Sequence, residues 1–102
     1  MIYVKLHNTD NGNMLAMCDS SLIGKVISEG DVEINLKDYS DFYKGQLVSE
    51  EGALGLVKRE EIMSANIVGK ESIAVCLKKG VIERKNVREV GKVPYANAFR
   101  IK

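Results

Sequence analysis

The chain has 102 residues, 45% hydrophobic and 28% charged, with a formal net charge of +1. That composition fits one globular domain over residues 1–102, and no apolar run approaches the roughly 20 residues needed to cross a bilayer. Two isolated cysteines and a single histidine exclude a standard zinc site, leave reduced cytoplasmic thiols as the expectation, and suggest no cofactor.

Residues 2–7 alternate apolar and polar side chains, so the start reads as a strand and not as a signal peptide. Residues 14–18 alternate again after Thr9-Asp10-Asn11-Gly12-Asn13. Asn11-Gly12 is a strong hairpin signal, because both residue types tolerate positive φ. Asp19 or Ser20 is placed to cap a short turn through Leu22 and Ile23, stopped by Gly24. Residues 25–28 and 32–36 flank Glu29-Gly30-Asp31 as a second strand pair.

Residues 37–48 read as loop, yet they carry Tyr39, Phe42 and Tyr43. Either the rings fold onto the edge of the core, since they bury large areas, or they form a partner-binding patch beside Lys44-Gly45. A second copy of the chain could be that partner, giving a homodimer. Ser49 can cap a helix over residues 50–60, with Glu50 and Glu51 at its start and Lys58 and Arg59 at its end. Gly52 and Gly55 each weaken that helix by about 1 kcal/mol relative to alanine, so packing must hold it.

Residues 65–68 form a short apolar strand that meets Gly69. Beyond it Ile73, Ala74, Leu77 and Val81 recur at helical spacing, Lys78 and Lys79 suit the last turn, and Gly80 suits the end. Gly69-Lys70 at a strand-to-helix turn invites a phosphate-loop reading. The motif requires a glycine-rich run ending in Gly-Lys-Ser/Thr, whereas here Glu71 follows Lys70 and would repel a phosphate. A structural turn is the better reading. Residues 87–90 and 95–101 close the chain as strands around Gly91-Lys92-Val93-Pro94. Strands at both ends with helices between them imply an α+β fold: a mostly antiparallel sheet with two main helices packed on one face.

No catalytic set emerges. Either register of the first hairpin leaves His7 and Cys18 unpaired, and Asp19 beside Cys18 would raise a thiol pKa and not activate it. Glu50-Glu51 and Glu60-Glu61 are adjacent pairs, which on a helix point away from each other. Charge is distributed unevenly. Residues 78–102 hold eight basic groups against Glu83 and Glu89, or +6, leaving seven basic and twelve acidic groups, or −5, on residues 1–77. Arg84, Lys85, Arg88, Lys92, Arg100 and Lys102 could meet phosphates while Tyr95 or Phe99 stacks on a base.

Several stretches together resemble an uncharacterised archaeal family, domain of unknown function 424. The resemblance rests on Ala16-Met17-Cys18-Asp19, Leu22-Ile23-Gly24-Lys25, Phe42-Tyr43-Lys44-Gly45, Ala65-Asn66-Ile67-Val68-Gly69 and Gly91-Lys92-Val93-Pro94-Tyr95-Ala96, and covers nearly the whole chain. Tyr95 stands where some members carry histidine, which argues against acid/base chemistry there. The resemblance implies a small cytosolic archaeal protein, loosely associated with translation genes. The leading expectation is therefore a non-enzymatic accessory factor that binds RNA or the ribosome and translation initiation machinery through its basic C-terminal segment. The alternative is a small-molecule binder or small enzyme with a pocket near Cys18, Asp19, Asn66 and Gly69.

Overall fold

The computed structural model describes residues 1–99. β1 (Ile2–Thr9) and β2 (Gly12–Asp19) form the expected opening hairpin. Thr9 pairs with Gly12, so the turn is Asp10-Asn11, one residue earlier than the Asn-Gly signal suggests. Gly12 still takes a positive φ, 112, and is also tightly packed: a Cβ there would lie 2.8 Å from the Cβ of Met63. β3 (Val26–Glu29) and β4 (Val32–Asn35) make a separate two-stranded sheet around Gly30-Asp31.

The segment expected to be loop holds two short elements, α1 (Ser40–Tyr43) and β5 (Gln46–Val48). Asn35 starts this segment with an Asx turn, its Oδ1 accepting from the amides of Lys37 and Asp38. α2 (Glu50–Leu56) is capped as expected, Ser49 Oγ accepting from the Gly52 amide at 3.0 Å. It ends well before residue 60, with Val57 extended and buried and a separate 3₁₀ turn over Arg59–Glu61. Two glycines leave it too weak to continue once Ala53 and Val57 have reached the core.

β6 (Ser64–Val68) runs into α3 (Lys70–Lys78), the most regular helix. Its buried positions are Ser72, Ile73, Val75 and Cys76; of the face expected from the apolar spacing, Ile73 and Val81 are buried and Leu77 packs against the core, while Ala74 is only half-buried. Ser72 can be buried because Asp19 bonds both its amide and its hydroxyl. β7 (Arg88–Val90) and β8 (Val93–Phe99) close the described chain around a two-residue turn. Gly91 (φ 52) and Lys92 (φ 65) are both left-handed there, the signature of a type I′ hairpin turn.

The fold is α+β, as expected. Its main sheet runs β5–β1–β2–β6–β8–β7 and is antiparallel except for the β2–β6 pair. Strand alternation sorts its side chains onto two faces. Ile2, Leu15, Met17, Ala65, Ile67 and Ala96 point toward α2 and α3 and form the main core with Ala53, Ile73, Val75 and Cys76. The opposite face carries Cys18, Val68 and Tyr95, which pack under Leu36, Ile34 and Tyr43 in a smaller cluster. α1 covers β1 and β2 on this second face, and the β3–β4 sheet leans on β7. The strip between these covers, over β6 and β8, is left open.

A groove between two partial covers

The open strip is a groove of about 680 Å³. β4 supplies one wall, including Glu33 and Asn35, and α1 with the preceding Tyr39 supplies the other through Tyr39, Phe42 and Tyr43. Asn66, Val68, Tyr95 and Asn97 make the floor. The register between β6 and β8 sets the order of the floor. Val68 pairs with Tyr95, then Asn66 with Asn97, then Ser64 with Phe99. The first pair belongs to the buried cluster and the last lies toward solvent, with Phe99 75% exposed. The groove is thus apolar at one end, amide-lined in the middle, and open beside a bare ring at the other.

The three aromatic residues left ambiguous by sequence are divided among three environments. Tyr43 packs against Cys18, Leu36 and Val68. Burial first, and then the neighbouring Cys18, push its pKa up to about 12, so at neutral pH it is a phenol that can donate. Phe42 stacks on His7 with ring centroids 4.5 Å apart, and His7 Nε2–H donates to the Phe42 carbonyl at 2.8 Å. That contact uses the histidine to anchor α1. Tyr39 is 66% exposed at the groove wall.

The polar floor has unused bonding capacity. Asn66 Nδ2 donates to Met14 Sδ at 3.4 Å, which turns its Oδ1 away from the sulfur. Among the described residues, Asn66 Oδ1 and the whole Asn97 carboxamide have no protein hydrogen-bond partner. No buried side-chain nitrogen or oxygen of the described residues is unpartnered, so these groups face water.

The four residues expected around a pocket do not share one. Asn66 lines the groove, but Cys18 is fully buried beneath it and Asp19 is 6% exposed at the end of β2. Because β2 and β6 run parallel with Cys18 opposite Val68, Asp19 meets the turn that follows β6. Its Oδ2 accepts from the Glu71 amide at 3.1 Å, and its Oδ1 from the Ser72 amide and hydroxyl at 2.9 and 2.8 Å. Asp19 therefore caps α3 from a neighbouring strand, and not the turn that follows it in sequence. Those amides are what a phosphate loop would need, and a carboxylate already occupies them. Gly69, with φ 109, is obligatory there, since a Cβ would overlap the Asp19 carboxylate.

Neither thiol is poised to react. Burial raises the Cys18 pKa to about 12, with Asp19 adding to the effect, and burial alone raises Cys76 to about 12. Among the described residues no group of three or more His, Cys, Asp or Glu side chains could hold a metal ion.

Of the basic residues, Arg84 and Lys85 lie on an exposed 3₁₀ turn, Arg88 on β7, and Lys92 in the β7–β8 turn. Arg100 and Lys102 fall outside the described residues. Lys85 pairs with Glu83 at 3.2 Å, an exposed contact of little energetic weight. Arg88 is directly opposite Tyr95, so it projects on the groove side one strand beyond the floor. Arg84 also borders a shallow depression at the end of α3 with Lys78, Lys79 and Arg59. Of the sequence-predicted cations only Arg88 is thus set on the groove side, and the amide floor could have been suspected from Asn66 and Asn97 only with the β6–β8 register known. No helix among the described residues is long and apolar enough to cross a membrane.

A family model described as a protein of unknown function, DUF424, matches residues 6–101, and the chain belongs to that family. A crystal structure of an uncharacterized conserved protein from Methanopyrus kandleri is similar, with a TM-score of 0.81 and 21% identity. The match covers 98% of this chain and 91% of that one, a likeness of fold. No curated protein matches the chain.

Proposed function

We propose that this member of the DUF424 family is a non-enzymatic RNA-binding protein whose groove takes a single-stranded segment. The observation that carries the reading is the register of the last hairpin: Arg88 opposite Tyr95 sets a cation beside a ring-bearing strand, on the groove face. Single-stranded RNA needs cations for its phosphates and flat surfaces for its unstacked bases. Phe99 and Tyr39, 75% and 66% exposed, are flat surfaces at the mouth and wall. Arg84, Lys85, Arg88 and Lys92 line the same end of the chain, where exposed cations outnumber Glu83 and Glu89.

An enzymatic reading finds less support. The buried thiols hold their protons, and His7 is engaged with the Phe42 carbonyl. The reading is tested by fluorescence anisotropy with labelled nine-nucleotide single-stranded RNA at several salt concentrations. Replacing Arg84, Lys85 and Arg88 together with glutamine should weaken binding to all sequences and flatten the salt dependence by about 0.7 per lost phosphate contact. Unchanged affinity and salt slope in the triple variant would refute it. Co-sedimentation with ribosomal subunits would then decide whether the RNA belongs to the translation machinery.

A further inference from the structure

Resting on that reading, we infer that Asn66 and Asn97 together recognise the Watson–Crick edge of one unpaired base that carries there an exocyclic amino group beside a ring-nitrogen acceptor, namely adenine or cytosine. The two asparagines are directly opposite on adjacent antiparallel strands, and both side chains point into the groove. Opposed residues in such a pair have Cβ atoms about 4.5–5.5 Å apart, so both carboxamides can address one small heterocycle.

The orientation of Asn66 gives the site its chemical sense. Its amino group is directed at the Met14 sulfur, which accepts a hydrogen bond from N–H but would repel a carbonyl oxygen. Among the described residues Oδ1 is left as an acceptor without a protein partner. An acceptor in that position favours a base that brings an amino donor. Asn97 has both an amino group and an oxygen free, and its N–H can donate to the ring nitrogen next to that amino group. Adenine N6/N1 and cytosine N4/N3 supply that donor–acceptor pair. Uracil presents a carbonyl where the amino group would be, and so sets oxygen against Asn66 Oδ1.

The surroundings fit a base better than a larger or charged ligand. Tyr95 and Phe99 flank Asn97 at alternate positions on β8, which puts a ring on each side of the amide pair. Base-on-aromatic stacking tolerates any base, so discrimination falls to the carboxamides. The cationic Arg88, one strand away, can meet the adjoining phosphate.

The test uses the intact protein with labelled nine-nucleotide A, C and U homopolymers, at one salt concentration, read by anisotropy. The wild-type protein should bind A or C about tenfold tighter than U, the scale of a well-formed bidentate contact. Asn97→Ala, at an exposed position, should bring the A and C affinities down toward that of U, with the urea midpoint unchanged. Asn66→Ala should do the same. Wild-type protein that binds all three equally, or an Asn97→Ala variant that keeps the preference, would overturn base recognition while leaving RNA binding in place. Wild-type protein that binds none of them would overturn both.

Discussion

Asp19 and Gly69 are in direct contact across the parallel β2–β6 pair, with the carboxylate of one occupying the space that a side chain on the other would need. Through this contact the last residue of β2 supplies three hydrogen bonds to the first turn of α3. Asp19→Ala leaves two backbone amides and a buried hydroxyl without their acceptor. Cap loss and unsatisfied buried donors together should cost about 2–4 kcal/mol, measured by urea denaturation. Ser72→Ala, which removes one of the three bonds, should cost about 1 kcal/mol.

Glycine 69 and glycine 55 should respond to alanine in opposite directions. Gly69→Ala combines a strained φ of 109 with overlap on Asp19, and should destabilise by about 3 kcal/mol or more. Gly55 lies inside α2 with no atom within 4 Å of where a Cβ would stand. Gly55→Ala should therefore stabilise by about 0.5–1 kcal/mol through helix propensity and a less flexible unfolded chain. Thermal melts of the two variants give the comparison directly.

Alkali should destabilise the protein. Cys18 and Cys76 rise from 9.0, and Tyr43 from 10.0, to about 12 in the folded state. Below pH 9 all three are protonated in both states, and their contribution to stability is fully present. Between about pH 9 and 12 the unfolded chain loses these protons while the folded one retains them, so stability falls as pH rises. Urea midpoints taken from pH 8 to 11 should decline steadily above 9. Cys18→Ala, whatever its effect at pH 8, should make that decline shallower, and an unaltered slope would contradict the assignment.

Phe99 is exposed enough that its ring contributes little to folding. Phe99→Ala should leave the urea midpoint within about 0.5 kcal/mol of wild type. It should weaken binding to single-stranded RNA by about 5- to 100-fold, the range expected for loss of one stacking ring.

What the sequence makes legible follows the reach of its interactions. The hairpins, the Ser49 cap and the end of α3 depend on residues within a few positions of each other, and they lie close to where local pattern puts them. The hairpin turn falls at residues 10–11, one position before Asn11-Gly12, and Gly12 is pressed against Met63, about fifty residues away, a contact that local pattern does not show. Asp19 reads as a cap for residues 20–23 because those are its neighbours in the chain, and only parallel pairing of β2 with β6 brings it to α3. β5 is three residues long and exists because β1 has a free edge to pair with, which its own composition does not announce. The groove has the same origin. Asn66 and Asn97 are unremarkable in sequence, thirty-one positions apart, and become a pair only through the β6–β8 register. The cations could be read from composition, but Arg88 reaches the groove face only because it pairs with Tyr95.

The most direct measurement is a two-dimensional amide NMR titration of the ¹⁵N-labelled protein with a single-stranded RNA nonamer. Both asparagine side-chain amides are visible in such spectra alongside the backbone. Shifts concentrated on Asn66, Tyr95, Asn97, Phe99 and Arg88, with α2 and the outer face of α3 unmoved, are the expected result. No shift at millimolar RNA, or shifts confined to the opposite face of the sheet, would contradict RNA binding in the groove.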